Sequence, residues 1–299
     1  MSDQEQSVRL SGFLNVDKPV GMTSHDVVAV VRRALRIRKA GHAGTLDPLA
    51  SGVLVVCLGS ATRLSEYVMA STKRYRARVR LGVETDTYDA EGEVLAVHDA
   101  SGVTLAAVER ALEPLRGEIA QVPPMYSAVK QGGRKLYELA RAGETVTRAV
   151  RPVFIETLTV MEWTPPIVTL DIVCSAGTYV RSLAHDLGAA LGVGAHLAGL
   201  VRLASGAFKL EDAAPLDALL ADPDWTRHLI APSAALTDWP VVELDAGALK
   251  RVLRGQALPD SQALAGTLAQ GRAPDGELAA VLEGDGTRWW PIKVFARSR

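Results

Sequence analysis

Alternation of apolar and polar residues predicts several strands with helices between them. The clearest strand runs from Lys73 to Leu81, because apolar residues alternate with four arginines and the two sets would occupy opposite faces. An unbroken apolar run from Val53 to Leu58, bounded by glycines, is typical of a buried strand. Apolar residues at helical spacing predict helices from His25 to about Arg38 and from Thr178 to Leu191. The pattern predicts the elements without fixing the order of the strands in a sheet.

Breaks in this pattern divide the chain into two predicted domains. Residues 1–240 hold all of the long strands and helices. Within them, Pro123 and Pro124 open a basic insertion over about 123–152, in which Arg134 to Arg141 is predicted to be a short helix. The elements become short from Val241 onward, so residues 241–299 are predicted to form a small second domain.

Composition favours a cytoplasmic protein. No apolar run among the 299 residues approaches the length of a transmembrane helix, and the polar N-terminus lacks the core of a signal peptide. The only cysteines, Cys57 and Cys174, lie far apart in apolar surroundings. They are predicted to be reduced core residues and not part of a disulfide or a metal site.

The distribution of charge matters more than its sum. A net charge of −1 argues against a nucleic-acid partner, but residues 31–80 hold eleven Lys or Arg and only two acidic residues. Residues 211–299 instead hold nine basic and thirteen acidic residues. A polyanion responds to the local field, so the 31–80 segment is a candidate RNA-binding surface. Ordinary solvation of these charges is the competing interpretation.

A glycine-rich loop ahead of the Val53 strand carries the main candidate for chemistry. Residues 41–56, GHAGTLDPLASGVLVV, place Asp47 directly before Pro48. The proline disfavours helical backbone at Asp47 and stiffens the loop. Loops mounted on rigid strands often carry catalytic side chains, yet an aspartate in a turn commonly bonds only to its own backbone. From the loop alone, the simple turn is the favoured interpretation.

The wider sequence context changes this interpretation. HAGTLDPLASGVL, around Asp47, is accompanied by DKPVGMTSHDVV at 17–28, KRYRARVRLG at 73–82, VPPMYSAVKQGGRKLYELAR at 122–141 and CSAGTYVRSLAHDLG at 174–188. Segments of this length are specific, and through them roughly the first two thirds of the chain resembles the TruB family of tRNA pseudouridine-55 synthases. Ser51, where the family more often has Thr, is a conservative departure.

The resemblance implies a fold, an activity and a partner. The fold would be α+β, with a pseudouridine synthase-like catalytic domain around a mixed, largely antiparallel sheet, and residues 241–299 would resemble a PUA-like RNA-binding domain. The activity would be isomerisation of uridine 55 in the T loop of tRNA, after the base is flipped out of the loop. The implied partner is the T arm of tRNA; no protein partner, membrane, metal or cofactor is implied, and a monomer is expected.

The resemblance also assigns roles to six residues. Asp47 would be the nucleophile, Arg181 its ion-pair partner, and Tyr75 a ring against the target base with a hydroxyl that reaches the site. Whether Asp47 attacks C6 of uracil or C1′ of ribose stays open. The remaining substrate-binding positions would be a histidine that helps to hold the target loop open and two residues that line the base pocket, namely His42, Tyr179 and Leu200. Without the resemblance, each residue has an ordinary interpretation as a turn, core or surface residue.

Three other functions would each account for part of the sequence. A retaining glycosidase also needs an aspartate near an anomeric carbon, but it requires a second carboxylate about 5 Å away, and none stands out in the matched segments. A non-catalytic RNA-binding or RNA-folding protein would account for the basic segments but not for Asp47 and Arg181. A metal hydrolase is disfavoured because His25, His42 and His185 match no ligand pattern such as HExxH.

Overall fold

The structure is a computed structural model, which describes residues 10–127, 130–131, 133–136, 144 and 146–295. The strands it describes are β1 (Gly12–Lys18), β2 (Ala40–His42), β3 (Ala50–Leu58), β4 (Lys73–Leu81), β5 (Val83–Thr85), β6 (Val94–Val97), β7 (Gly117–Gln121), β8 (Lys130–Gln131), β9 (Arg134–Lys135), β10 (Arg151–Thr164), β11 (Ile167–Cys174), β12 (Ala195–Ser205), β13 (Phe208–Lys209), β14 (Ala214–Pro215), β15 (Val241–Glu243), β16 (Leu258–Pro259), β17 (Leu268–Arg272), β18 (Leu278–Gly284) and β19 (Arg288–Val294). The α-helices are α1 (Ser24–Ala34), α2 (Ser65–Ala70), α3 (Leu105–Leu112), α4 (Val180–Leu191), α5 (Leu216–Ala221) and α6 (Ala246–Leu253). None of these helices is long and apolar enough to cross a membrane.

Ten strands form one mixed sheet. Its order is β14–β1–β3–β12–β4–β11–β10–β7, with β2 paired to β3 and β13 paired to β12. Neighbouring strands are antiparallel except for two parallel pairs, β1 with β14 and β3 with β12. The predicted α+β fold around a mixed, largely antiparallel sheet is confirmed.

Helices cover one face of this sheet, called the front face here. Helices α1, α3, α4 and α5 bury apolar side chains there against β1, β3, β4 and β12. Helix α1 starts with a capping box, in which the Thr23 hydroxyl accepts from the Asp26 amide and the Asp26 carboxylate accepts from the Thr23 amide. It ends at Ala34, earlier than predicted, because Arg36 has left-handed backbone with φ 53°.

Strand β4 shows the predicted alternation along its whole length. Its apolar residues from Tyr75 to Leu81 are buried on the front face, and the arginines between them are exposed on the back face. Arg74 forms a two-point ion pair with Asp171 of β11, at 2.9 and 3.0 Å. The basic face of β4 is therefore partly neutralised, and it lies on the side of the sheet away from Tyr75.

Lys73 departs from the picture of an exposed basic segment. Its side chain is buried, and its ammonium group donates to the carbonyls of Val68 (3.0 Å) and Met69 (3.1 Å) and to that of Ser71. These carbonyls lie at the end of α2, where a cation is favourable. Burial lowers the pKa of Lys73 to about 8. Lys73 is thus a helix cap and not part of an RNA-facing surface.

The C-terminal residues form a second sheet of five strands in the order β15–β17–β18–β19–β16, with α6 packed on it. It is docked on the back face of the large sheet. Leu278, Val281 and Phe295 share one buried cluster with Phe13 and Val55. The predicted boundary at residue 240 separates the two sheets, but a continuous apolar core crosses it. Deletion of residues 241–299 would expose that core. That residues 1–240 form a separate domain therefore stays a prediction.

Other expectations were incomplete. Strands β16 and β17 and helix α5 were not predicted. Arg134 and Lys135, predicted to begin a helix, pair with Lys130 and Gln131 as a two-stranded ribbon. Leu136, the next residue, is buried, and residues 137–141 of that predicted helix lie outside the described residues.

Close contact between β3 and β12 depends on Gly52. Its φ is 96°, and a Cβ atom there would lie 2.3 Å from the Arg202 carbonyl oxygen. Gly52→Ala combines left-handed strain with a backbone clash, so we expect it to lower the free energy of unfolding by at least about 2 kcal/mol. Chemical denaturation measures this change.

Gly102→Ala is the matched control. Gly102 has open space at its Cβ position and its φ lies outside the left-handed range, so the free energy of unfolding should be nearly unchanged. Equal stability of the Gly52 and Gly102 variants would contradict the close approach of these two strands.

Candidate active site

The Asp47 loop connects β2 to β3 on the front face, and buried hydrogen bonds fix its backbone. The Ser24 hydroxyl, at the start of α1, both accepts from the Leu46 amide (2.7 Å) and donates to the Leu46 carbonyl (3.0 Å). Behind Asp47 the chain turns, and the Ala50 amide donates to the Asp47 carbonyl at 3.0 Å. The loop is therefore a rigid mount for its aspartate.

Arg202 supports the same loop from below. This β12 side chain is 1% exposed, and its guanidinium donates to the carbonyls of Val53 (2.7 Å), Gly44 (3.0 Å) and Thr45 (3.4 Å). A buried charge needs such partners. Sequence reasoning missed Arg202, since a single arginine in a strand gives no periodic signal; only the pairing of β12 with β3 brings it under the loop.

Asp47 and Arg181 meet as predicted. The Nε atom of Arg181, in the first turn of α4, lies 3.0 Å from Oδ2 of Asp47. The Arg181 side chain is 8% exposed, whereas that of Asp47 is 40% exposed. The Nε–H does not align as a hydrogen bond, so the contact is an ion pair with imperfect geometry. One carboxylate is thus held by a buried cation and open to a ligand.

A second carboxylate, Asp89, completes the surroundings of Arg181. Its Oδ2 lies 3.3 Å from Nη1 of Arg181, and its side chain is almost fully buried. The carbonyls of Thr87 (3.3 Å) and Tyr126 (2.8 Å) accept from the same guanidinium. The sequence analysis did not single out Asp89. Asp89 is distant from Asp47 and Arg181 in the sequence, so no local pattern indicated this contact. A buried arginine beside Asp47 nevertheless requires further hydrogen-bond acceptors.

The electrostatics of Asp47 follow from these neighbours. Burial raises the pKa of Asp47 even though its side chain keeps an exposed surface, and Asp89 raises it further. Arg181 opposes both effects and favours the ionised form. The ion pair therefore favours the ionised carboxylate in a site whose burial disfavours charge.

Tyr75 and Leu200 lie side by side on the front face. In the pairing of β4 with β12, Tyr75 is opposite Arg202 and Leu200 is opposite Ala77. The pairing of β12 with β3 also places Leu200 opposite Ala50, just after the Asp47 loop. Tyr75 is 9% exposed, and burial raises the pKa of its phenol, which stays protonated at neutral pH. Both predicted residues therefore border the site.

Tyr179 precedes α4 and is held by a residue from β7. The side-chain amide of Gln121 donates to the Tyr179 carbonyl (3.0 Å) and accepts from the Tyr179 amide (2.7 Å). The neighbouring Ser182 hydroxyl donates to the Val122 carbonyl (2.8 Å). Gln121, which the sequence did not single out, thus fixes the backbone two residues before Arg181.

His42 ends β2, next to the Asp47 loop. Burial, together with the positive charge of Arg202, lowers the pKa of its imidazole, so it is neutral at pH 7. Its Nδ1 is buried with no hydrogen-bond partner among the described residues. A neutral ring at this position suits contact with a nucleobase better than contact with a phosphate.

The arrangement suits nucleophilic chemistry on an uncharged base or sugar. It offers one accessible carboxylate beside tyrosine and leucine side chains, with a fixed cation behind it. The described residues contain no group of three or more side chains that could hold a metal ion. The additional carboxylate, Asp89, is buried in contacts with Arg181, Thr87 and Glu91, so it has no free approach to a glycosidic oxygen.

Comparisons with known proteins agree with this geometry. The model of the TruB family pseudouridylate synthase N-terminal domain matches residues 32–180, and that of the tRNA pseudouridylate synthase B C-terminal domain matches residues 181–237. The tRNA pseudouridine synthase B of Symbiobacterium thermophilum is 54% identical over 259 residues, 86% of each chain. The chain belongs to the TruB family. It is therefore a pseudouridine synthase, an isomerase.

Other TruB-family relatives and solved structures support the assignment. The enzyme named tRNA pseudouridine synthase B in Burkholderia pseudomallei strain 668 is 50% identical, with 85% of this chain and 84% of the relative covered. A chain in an H/ACA ribonucleoprotein bound to a substrate RNA containing 2′-deoxyuridine matches with TM-score 0.75 and 26% identity, over 99% of this chain and 88% of that chain. A chain of a Cbf5–Nop10–Gar1 complex matches with TM-score 0.74 and 29% identity, over 99% and 87%.

The contacts of Arg181 yield a prediction. A lysine keeps one charge but cannot reach Asp47, Asp89 and two carbonyls together. We expect Arg181→Lys to lower the single-turnover rate of pseudouridine formation by about 100-fold through misplacement of the carboxylate, with little change in RNA affinity.

Arg76→Lys, the same substitution on the exposed back face, is the control and should convert uridine at the wild-type rate. A wild-type rate for Arg181→Lys would mean that a point charge suffices at this position.

Proposed function

We propose that this protein converts uridine 55 in the T loop of tRNA to pseudouridine, with Asp47 as the nucleophile. The observation that carries the proposal is the Asp47 carboxylate, 40% exposed and 3.0 Å from the buried guanidinium of Arg181. The relatives named tRNA pseudouridine synthase B support tRNA as the substrate. The T loop and position 55 rest on the matched segments around these residues.

The proposed reaction needs no oxidant, since it only rearranges bonds. The N1–C1′ bond of uridine breaks, the freed uracil turns, and a C5–C1′ bond forms while C5 loses a proton and N1 gains one. Asp47 forms a transient covalent bond, which splits the exchange into two easier steps. The same carboxylate position serves attack on C6 of uracil or on C1′ of ribose. Arg181 holds the carboxylate ionised and oriented in either case.

The target base must leave the loop before Asp47 can contact it. We propose that Tyr75, Tyr179 and Leu200 receive the flipped uracil by stacking and apolar contact, with the Tyr75 hydroxyl directed into the site. The fixed backbone at Tyr179 supports this role, because Gln121 restrains it from both sides. His42, whose imidazole is neutral, would contact the loop that the base leaves.

We further propose that residues 1–240 act as the catalytic domain, with the 123–152 insertion approaching the T arm, and that residues 241–299 bind tRNA away from the target uridine. Exposed Lys250 and Arg254 on and after α6 support the second role, despite the acidic sum of this region.

Asp47→Asn tests the proposed chemistry. The amide has nearly the same shape but cannot act as the nucleophile, so conversion of unmodified tRNA should fall to background while tRNA affinity stays close to wild type. A pseudouridine-specific label followed by mapping of the modified position reports both activity and site.

Asp212→Asn, on an exposed acidic turn, is the matched control and should convert tRNA normally. Substantial turnover by Asp47→Asn would overturn the nucleophile, and wild-type modification at another tRNA position would overturn the T-loop assignment.

A further inference from the structure

Tyr88 has an unusual backbone conformation next to the candidate active site. Its φ is 63°, and among the described non-glycine residues only Arg36 shares a positive φ. Glycine, asparagine and aspartate adopt this conformation most easily, so a bulky tyrosine there carries strain. Such strain persists only where surrounding contacts impose it, and it often marks a functional constraint.

Three contacts impose this conformation on Tyr88. The Tyr88 ring is stacked on the imidazole of His185, with centroids 4.0 Å apart and planes 12° from parallel. The Tyr88 amide donates to the Thr85 carbonyl (3.2 Å), and its carbonyl accepts from the Leu197 amide of β12 (2.9 Å). Tyr88 is therefore clamped between the large sheet and helix α4.

This clamp acts on the two residues that flank Tyr88. The Thr87 carbonyl and the Asp89 carboxylate both contact Nη1 of Arg181. The left-handed turn between them directs both groups to one guanidinium. Neighbouring bonds preserve the turn, since the Thr87 hydroxyl donates to Asp89 Oδ1 at 2.6 Å.

Helix α4 carries both of the side chains that hold the Tyr88 segment. Arg181 and His185 are four residues apart on α4, so their side chains project from the same side of the helix. The helix face that supplies the cation also supplies the ring on which Tyr88 rests. The stack and the ion pairs therefore fix the same loop to the same helix face at two points.

We propose that the Tyr88–His185 stack is a positioning contact for catalysis: it holds Thr87 and Asp89 on Arg181, and through Arg181 it fixes the orientation of the Asp47 carboxylate. Neither aromatic ring has to touch the substrate for this role. The inference rests on the roles proposed for Asp47 and Arg181, and it adds two residues that the matched sequence segments do not assign to the reaction.

The key variant is Tyr88→Gly, because glycine accepts the left-handed backbone but removes the ring. Relief of strain should keep the melting temperature close to wild type, whereas loss of the stack should lower the single-turnover rate at saturating tRNA by about tenfold or more. The dissociation constant for tRNA should change little, since the base-lining residues are untouched. A purely structural ring would instead affect the melting temperature and leave the rate alone.

Further variants of the two stacked residues test the same contact. Tyr88→Phe and His185→Phe keep a flat ring on each side of the stack and should retain rates within about threefold of wild type, while His185→Ala should match Tyr88→Gly.

Coupling to Arg181 gives the decisive comparison. If the stack acts through Arg181, Tyr88→Gly should cause much less additional slowing in the Arg181→Lys background than in the wild-type background. Equal slowing in both backgrounds, or a wild-type rate for Tyr88→Gly, would overturn the inference. The wild-type enzyme is the control that separates this inference from the proposed function. If it forms no pseudouridine in the T loop, the proposed function is refuted, whatever the variants do.

Discussion

Burial of the Arg181 guanidinium is the constraint on which the site depends. A cation with 8% of its side chain exposed is tolerated only when anions and carbonyls surround it. Here those partners are Asp47, Asp89 and the carbonyls of Thr87 and Tyr126, which come from separate parts of the chain. Folding that buries Arg181 must therefore also assemble these segments around it.

The large sheet and its helices determine where this cation lies. Apolar packing of α4 on the front face buries Val180, Leu183 and Leu187, and it carries Arg181 inward with them. On the sheet itself, Arg202 donates to two carbonyls of the Asp47 loop and to the Val53 carbonyl of β3. Arg181, on a helix packed against the sheet, and Arg202, on a strand of the sheet, thus both fix the surroundings of Asp47. The Asp47 carboxylate can remain accessible because other groups hold its loop.

Much of the fold could be predicted from residue patterns. The alternation in β4, the apolar run in β3 and the capped helix α1 are local signals, and the structure reproduces them. The Asp47–Arg181 contact was also predicted, but from family resemblance and not from spacing. Asp89, Arg202 and Gln121 were missed because their partners are distant in sequence and only the sheet order brings them together.

Charge counts were the least reliable guide. Residues 31–80 looked like one basic surface, yet Lys73 caps α2, Arg74 pairs with Asp171, and Arg63 lies over the Phe295 ring between the two sheets. The exposed arginines of β4 face away from Tyr75. Sequence reports how many charges a segment has, whereas strand pairing and burial decide which of them meet solvent or another ion.

The most direct test of whether Asp47, Arg181 and Asp89 act as one electrostatic unit is the pH dependence of the single-turnover rate. Its acid limb is the range in which the rate falls as the pH is lowered. As the proposed nucleophile, Asp47 would have to be ionised to react, so the rate should fall as pH drops through its pKa, which burial raises above the ordinary aspartate value of about 3.9. Removal of the cation in Arg181→Met should move the limb to higher pH, and removal of the second anion in Asp89→Asn should move it to lower pH. A limb that stays in place, or moves in the same direction in both variants, would contradict the account.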